Sequence, residues 1–457
     1  MGRGCRCLRR IAYLPGSPVP DSTSSPVAVV ADTIVRTVEL GVTITNAAVD
    51  GDITVVFCDL LTDGPQSCPG CGGEAVYRDT VIRRVTDVPV VGHPLRLRVR
   101  VPRYRCTTSD CSREVFNHNT SRLARPGWST TRRCARYILR RLMMDRMTIA
   151  AVARELGLSW DTVNTIAMDA TQTIVAADIT RLDGVRVIGV DEHRWSHTRH
   201  TDGFVTVIID LTPVLQGTGR ARLLDMVPGR SAAALRTWLA TQSPAFRDQV
   251  DVVAMDGFGG YKTAATDQLP EATAVMDPFH VVALAGAKLD LTRQRVQQQT
   301  CGHRGRTGDP LYRARRTLRT RLPLLSSRQQ SRLSAVFADD NHLAVLMTWS
   351  IYQRIIAAYC QPDRGRGKAM LASIIHSLRR GVPAGLEELA QLGHTLHRRR
   401  HDVLAYFDHH VSNGPTEAIN GRLEALRRNA LGFRNLTHYR LRSLLHCGNL
   451  IQQIDAL

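Results

Sequence analysis

The chain has 457 residues, enough to bury more than one core and too many for one ordinary domain. Its 60 Lys plus Arg against 41 Asp plus Glu give a formal charge of +19, which favours a polyanionic partner, nucleic acid first among them. No run of about 18 uncharged apolar residues occurs, so no membrane partner is expected; the start lacks the apolar core of a secretory signal, and eleven cysteines with a single paired cluster suit a reducing compartment, the cytoplasm.

Residues 1–32 carry Pro15, Pro18, Pro20, Ser22, Ser24, Ser25 and Pro26 with little periodicity, and are expected to form a disordered leader. Residues 33–120 read as a small β-rich domain, with the strand ITVVFCDL and a longer run in which Leu95, Leu97, Val99 and Val101 alternate with polar positions. Cys68-x2-Cys71 is followed by Cys106-x4-Cys111. Four thiolates in two close pairs suit tetrahedral Zn2+, and Gly70, Gly72 and Gly73 permit the tight turn in which backbone N–H groups point at the sulfurs. A unit this small gains folding energy from the metal; four ordinary cysteines on a β-unit is the bland alternative.

Residues 121–180 are helical. TTRRCARYILRRLMM, from Thr130 to Met144, spaces its apolar residues as a helix does, with Thr130 or Thr131 as cap. From Met147 to Ile166 a short helix with Ala151, Val152 and Leu156 inward meets Gly157, and a second begins near Ser159. This is a helix-turn-helix pattern, in which Trp160, Asp161, Asn164 and Thr165 would face outward; Trp160, Asn164 and Thr165 are the expected DNA contacts. A plain helical hairpin has the same spacing, and the neighbouring cysteines and positive charge favour the DNA-binding reading.

Residues 181–457 begin with VRVIGVDEHRW, a β-branched run that delivers Asp191 to the carboxyl end of a buried strand. The strands GFVTVIIDLTP and ARLLDMVPG follow, then a helix over Ser231 to Gln242, the strand DVVAMDG, a helix near Gly260 to Gln268 and the strand ATAVMDPFHVV. Three strands joined by short turns and then crossed by a helix to a fourth predict a ribonuclease-H-like mixed sheet with helices on both faces. In that order Asp191 and Asp256 stand at the ends of neighbouring strands. Glu192 and His193 are expected to turn to the other side. An all-α insertion over about 283–408 begins with an Arg-rich stretch, Lys288 to Arg332, suited to tracking phosphate. The final box SNGPTEAIN puts Glu417 in the first turn of a helix with Asn420 beside it; Glu424 lies one heptad further on, without that turn.

Phosphodiester chemistry needs an activated oxygen nucleophile and a stabilised leaving oxygen, and two Mg2+ ions (or Mn2+) held by three carboxylates supply both. Asp191, Asp256 and Glu417 are the expected trio, brought by separate elements onto a rigid sheet. Asp277, followed by Pro278, Phe279 and His280, competes with Asp256 for the second position; the bland reading of Asp277 and His280 is a structural pair closing the last strand.

The cysteine knuckle, the helix-turn-helix, IGVDE at Ile188 to Glu192, DPFHVV at Asp277 to Val282 and GPTEAIN together resemble the ISL3-type insertion-sequence transposases. The resemblance runs from about Val55 to the C-terminus. It implies a DDE transposase that binds the terminal inverted repeats of its own element, cuts the ends and joins them to target DNA, working as a homo-oligomer in the synaptic complex. Asp191 and Glu417 carry over directly. Two other classes stay open: a non-catalytic zinc and helix-turn-helix regulator derived from a transposase, and a structure-specific nuclease of the same fold.

Overall fold

The computed structural model describes residues 26–456 apart from 63, 65 and 197–202. Residues 1–25 of the expected leader lie outside the described residues. Its last part is ordered instead: Pro26–Val35 is a helix. Asp32 explains this, because its buried carboxylate accepts from the Thr37 hydroxyl, from Thr43 Oγ1 at 2.5 Å and from the Ile44 amide at 2.8 Å, tying the helix to the strand that follows. The chain divides into two compact units, residues 1–170 with 451–457, and residues 171–450.

In the first unit the strands are β1 (Val42–Asp50), β2 (Ile53–Leu60), β3 (Ala75–Val90), β4 (His93–Cys106) and β5 (Val115–Asn117). They form one sheet in the order β1-β2-β4-β3 with β5 on β4, and only β2 and β4 run parallel. Leu95, Leu97, Val99 and Val101 are at most 2% exposed and, with Val56, Cys58, Val85 and Leu123, make its core. Each such burial contributes about 1.5–3 kcal/mol. Val90 pairs with His93, so Val91 and Gly92 alone turn the long hairpin, both at positive φ (51° and 82°).

Three helices follow: Arg132–Met143, Ile149–Leu156 and Trp160–Ala177, the last reaching residue 170 within this unit. Each start is capped as the sequence demands: Thr131, Thr148 and Ser159 accept from the amides of Cys134, Ala151 and Thr162, each at 3.1 Å. Gly157, at φ 59°, closes the second helix. The turn is fastened to the sheet by Arg96 on β4, which donates to Leu156 O at 3.1 Å and to Thr86 Oγ1 at 2.6 Å.

The second unit holds β6 (Val187–Arg194), β7 (Phe204–Asp210), β8 (Arg222–Pro228), β9 (Val252–Met255) and β10 (Thr273–Met276). The sheet order is β10-β9-β6-β7-β8, an antiparallel meander of β6, β7 and β8 with β9 and β10 parallel to β6. Strand alternation sends Val187 and Val207 to one face, under Ile419 and Leu423 of the helix Gly414–Asn429 and Tyr439 of Leu436–Cys447. Ile188, Val190 and Ile208 go to the other, under Leu235 and Trp238 of Ala232–Ala240 and Tyr261 of Gly259–Gln268.

From β10 the chain passes directly into the helix Pro278–Cys301, so the helical block starts a few residues before the expected 283. Six more α-helices, Pro310–Leu318, Ser327–Phe337, Leu343–Tyr359, Arg364–Arg380, Glu387–Arg398 and Arg400–His409, build a core of their own around Leu289, Val345, Ile355 and Leu371. Among the described residues no helix is long and apolar enough to cross a membrane.

Candidate functional site

Two sets of side chains in separate units offer chemistry. In the first, Cys68 and Cys71 sit in the turn before β3, Cys106 ends β4 and Cys111 lies in the loop before β5, so the β3–β4 hairpin folds the two pairs together. Their four sulfurs lie within 4.8 Å of one another. Cys68 Sγ is 3.7 Å from Cys111 Sγ, and Cys71 Sγ is 3.6 Å from Cys106 Sγ. A tetrahedron with metal–sulfur bonds of about 2.3 Å has edges of roughly 3.8 Å, so the donor set fits Zn2+. The amides of Gly70, Gly73 and Arg113 donate to Cys68, Cys71 and Cys111, each at 3.4 Å. The hydrogen bond with the Thr108 hydroxyl, and that from the Gly73 amide, push the Cys71 thiol down to about 6, which favours the thiolate a metal needs. A side chain at Gly73 would displace the Thr108 hydroxyl from Cys71: a Cβ there would lie 2.5 Å from Thr108 Oγ1.

The second set is acidic. Asp191 lies on β6 with the parity of Val187 and Gly189, on the face covered by the helix Gly414–Asn429. Burial pushes its carboxyl up to about 7, opposed by a hydrogen bond from the Glu192 amide and reinforced by the charges of Asp256, Glu192 and Glu417. Asn420, one turn after Glu417, donates from Nδ2 to Asp191 Oδ2 at 2.9 Å and to Glu192 O at 3.3 Å. Asp256 follows β9 and accepts from the Phe258 amide at 2.9 Å. The next carbonyl, that of Gly257, accepts from Arg399 at 3.1 Å; Arg399 is paired with buried Asp402, which also takes Lys262 at 2.8 Å. Glu417 is exposed in the first turn of its helix.

The helix that carries Glu417 is set against β6 by a tight joint. Asn413 donates from its backbone to Asp277 Oδ1 at 2.8 Å and from Nδ2 to Val190 O at 3.3 Å. Gly189 makes room for the joint: a Cβ there would stand 2.4 Å from Thr416 Oγ1 and 3.1 Å from Asn413 Oδ1. Asp277 is 4% exposed, caps Pro278–Cys301 by accepting from the His280 amide at 3.3 Å, and has both oxygens engaged in structure. His280 packs its ring on the Asp256 loop, since a Cβ on Gly257 would lie 2.4 Å from His280 Nε2.

Asp191, Asp256 and Glu417 thus share one field, yet among the described residues only the four cysteines bring three or more ligand atoms within 4.8 Å of one another. Glu192 turns away as expected, toward Arg230 at 3.5 Å. His193 does not: it lies on the Asp191 face, buried, with Nε2 2.7 Å from Tyr439 Oη. Two residues along a strand restore the same side, which the sequence reading overlooked. Glu424 is occupied by Arg427 and Arg428. On the helix Trp160–Ala177, Trp160, Asp161 and Thr165 are exposed, but Asn164 is only 8% exposed. It follows buried Val163 and precedes buried Ala167 by one turn, so the inward stripe includes it and it is withdrawn from the outer face. Asn420 was read in sequence only as a polar neighbour of Glu417, and Gly189 and Asn413 escaped as site residues; a glycine inside a buried strand was the signal for the first of these.

Comparison with known proteins places this geometry. The family model of the ISL3 transposases matches residues 188–443, and that of the zinc-finger of the transposases of IS204, IS1001, IS1096 and IS1165 matches residues 64–111. A zinc ribbon in one unit and an acid-bearing mixed sheet in the other define the class, a transposase of insertion sequences. The chain belongs to the ISL3 family. Among its relatives, the transposase for insertion sequence element IS1001 of Bordetella parapertussis is 25% identical over 382 residues, 82% of this chain and 87% of that protein. The transposase for insertion sequence element IS1557 of Mycobacterium tuberculosis (strain ATCC 25618 / H37Rv) is 28% identical over 311 residues, 62% of this chain and 65% of that protein.

Proposed function

We propose that the chain is a DDE transposase with a ribonuclease-H-like catalytic unit, which binds the terminal inverted repeats of its element and performs strand cleavage and strand transfer with Mg2+ or Mn2+ held by Asp191, Asp256 and Glu417. The observation that carries this is the setting of Asp191: burial first, and then the charges of Asp256, Glu192 and Glu417, raise its affinity for a proton, and a divalent cation is the charge that relieves the acids together. The sheet order β10-β9-β6-β7-β8 supports the fold reading. Asp256 takes the middle position because Asp277 is spent on the Asn413 joint.

The bound ions would activate the attacking oxygen and stabilise the leaving one. The chain's part is positioning. Asn420 holds the Asp191 carboxylate, Arg399 fixes the loop behind Asp256, and Asp277 with Asn413 sets the height of Glu417 on the sheet. Trp160 and Thr165 are the end-binding contacts of a helix-turn-helix, and the exposed arginines of residues 304–332 track the DNA backbone. A homo-oligomer pairs two ends.

The test uses purified protein, Mg2+ or Mn2+, and a labelled duplex bearing the inverted repeat that flanks the gene. Metal-dependent cutting at the repeat boundary with joining to a second duplex, both abolished by Asp191→Asn while end binding persists, is the expected result. End binding without cutting in either metal would replace this reading with that of a DNA-binding regulator.

A further inference from the structure

Among the described residues the exposed large aromatics are Tyr77, Trp160, Phe258 and Phe279, at 62%, 48%, 44% and 67%. The two phenylalanines share a setting. Met255 and Met276 are register partners in parallel β9 and β10, and Asp277 N donates to Met255 O at 3.0 Å. The chain leaves these neighbouring strands as Asp256-Gly257-Phe258 and Asp277-Pro278-Phe279, so each ring comes two residues after the acid that ends its strand.

The Phe258 ring is held by its neighbours. The Phe258 amide donates to Asp256 Oδ1, and its ring meets Tyr261 edge-on at 5.1 Å and 82°. Gly260 leaves the space this ring fills, because a Cβ there would stand 2.4 Å from Phe258 Cε1. Phe279 lies in the first turn of Pro278–Cys301, next to the His280 ring that abuts Gly257. The Phe258 ring is therefore held by packing, Phe279 is held at its backbone by the first helical turn, and both side chains stay open to solvent.

We infer that Phe258 and Phe279 form a stacking platform for a nucleobase extruded from the duplex next to the scissile phosphate. The inference rests on the proposed phosphodiester chemistry at Asp256. Both side chains follow strand ends that are neighbours in the sheet, so a base attached to a phosphate held at Asp256 would meet them. In a paired duplex that base is stacked inside the helix, so the occupant is an unpaired one, whose cost of opening the aromatic contact offsets. Aromatic faces accept every base, so the platform acts on DNA opening and adds little sequence preference.

The probe is a duplex of the element's own end with 2-aminopurine placed in turn at each position flanking the cleavage site. With the full chain, fluorescence rises several-fold on binding at one of these positions; in Phe258→Ala/Phe279→Ala the rise is lost, and it returns in Phe258→Trp/Phe279→Trp. Cleavage of the paired end falls roughly ten-fold or more in the alanine variant, and recovers on an end in which the same base is mispaired. A wild-type protein that cuts the end without any fluorescence change, or an alanine defect that mispairing does not relieve, overturns the inference; the latter would assign the rings to a protein surface. Fluorescence that depends on the rings in a protein that never cuts would uphold the platform and refute the chemistry.

Discussion

The joint at Gly189 decides more than its size suggests. Gly189→Ala forces a methyl group against Thr416 Oγ1 and Asn413 Oδ1, both on the turn that opens the Glu417 helix, and overpacking of this kind costs about 1–3 kcal/mol. The expected outcome is a lowered Tm and, if Mn2+ binds as proposed and raises the Tm of the wild type, a smaller rise in the variant, measured by calorimetry with and without the ion. Glu424 provides a contrast in acid. Hydrogen bonds from Arg427 first, then from Arg428, hold its carboxyl down at about 2, below the ordinary 4.5. A depressed carboxylate contributes stability above 4.5 that is lost as pH falls from 4.5 toward 2. Partial exposure screens the pair, so Glu424→Gln should cost about 1 kcal/mol at pH 7 and nothing near pH 2 by urea unfolding. At this scale the sequence was legible where a residue's role follows from its position in a regular element. Glu417 in a first helical turn is of that kind; Asp191 falls on the expected strand but not at its end, because β6 continues to Arg194 in its pairing with β7. The partners of Asn420, Asp277 and Asp402 were not legible, because they come from elements distant in sequence, and Asn164 was misread because an amide in an inward stripe looks polar in sequence and is buried in space.

At the scale of elements, strands and caps followed the sequence closely, since period-two alternation in Leu95 to Val101 and hydroxyls at Thr131, Thr148 and Ser159 are local signals. What local signals do not contain is which elements share a body. Arg96 shows this: an arginine on β4 holds the turn between the helices Ile149–Leu156 and Trp160–Ala177, across about sixty residues of chain. Arg96→Ala should leave the hairpin intact but weaken binding to the element's end, because the second helix loses its fixed orientation; an electrophoretic shift with unchanged zinc content checks it. The cysteine knuckle is the complementary case. Cys71→Ser removes one of four thiolates, and the expected result is loss of the equimolar Zn2+ released from the wild type by a mercurial reagent. Partial unfolding of the first unit should accompany it, as metal binding energy is folding energy in so small a core.

For the whole molecule, the excess of positive charge is legible in composition, but its distribution is not. Within residues 304–332, Arg304, Arg306, Arg313, Arg316, Arg319, Arg321, Arg328 and Arg332 are exposed. The ion pairs nearby are made instead by Arg293, Arg295 and His303, with Asp290, Glu387, Glu388 and Asp309. The stretch 304–332 therefore presents cations open to solvent, while Arg293 and Arg295 in the Pro278–Cys301 helix are consumed in holding the block together. The sequence shows both groups as one Arg-rich run. These two groups behave differently toward DNA. Each phosphate neutralised by an exposed cation lowers the slope of log K against log salt by about 0.9. Arg313→Gln, Arg316→Gln and Arg328→Gln together should therefore flatten that slope by up to roughly 2.7 for a long duplex, with Tm unchanged. Arg295→Gln should do the reverse, lowering Tm through the loss of Glu388 and Glu387 while leaving the slope as it was. Equal slopes for the triple variant and the wild type would mean that this surface faces away from bound DNA, and that the charge of the chain acts through the first unit alone.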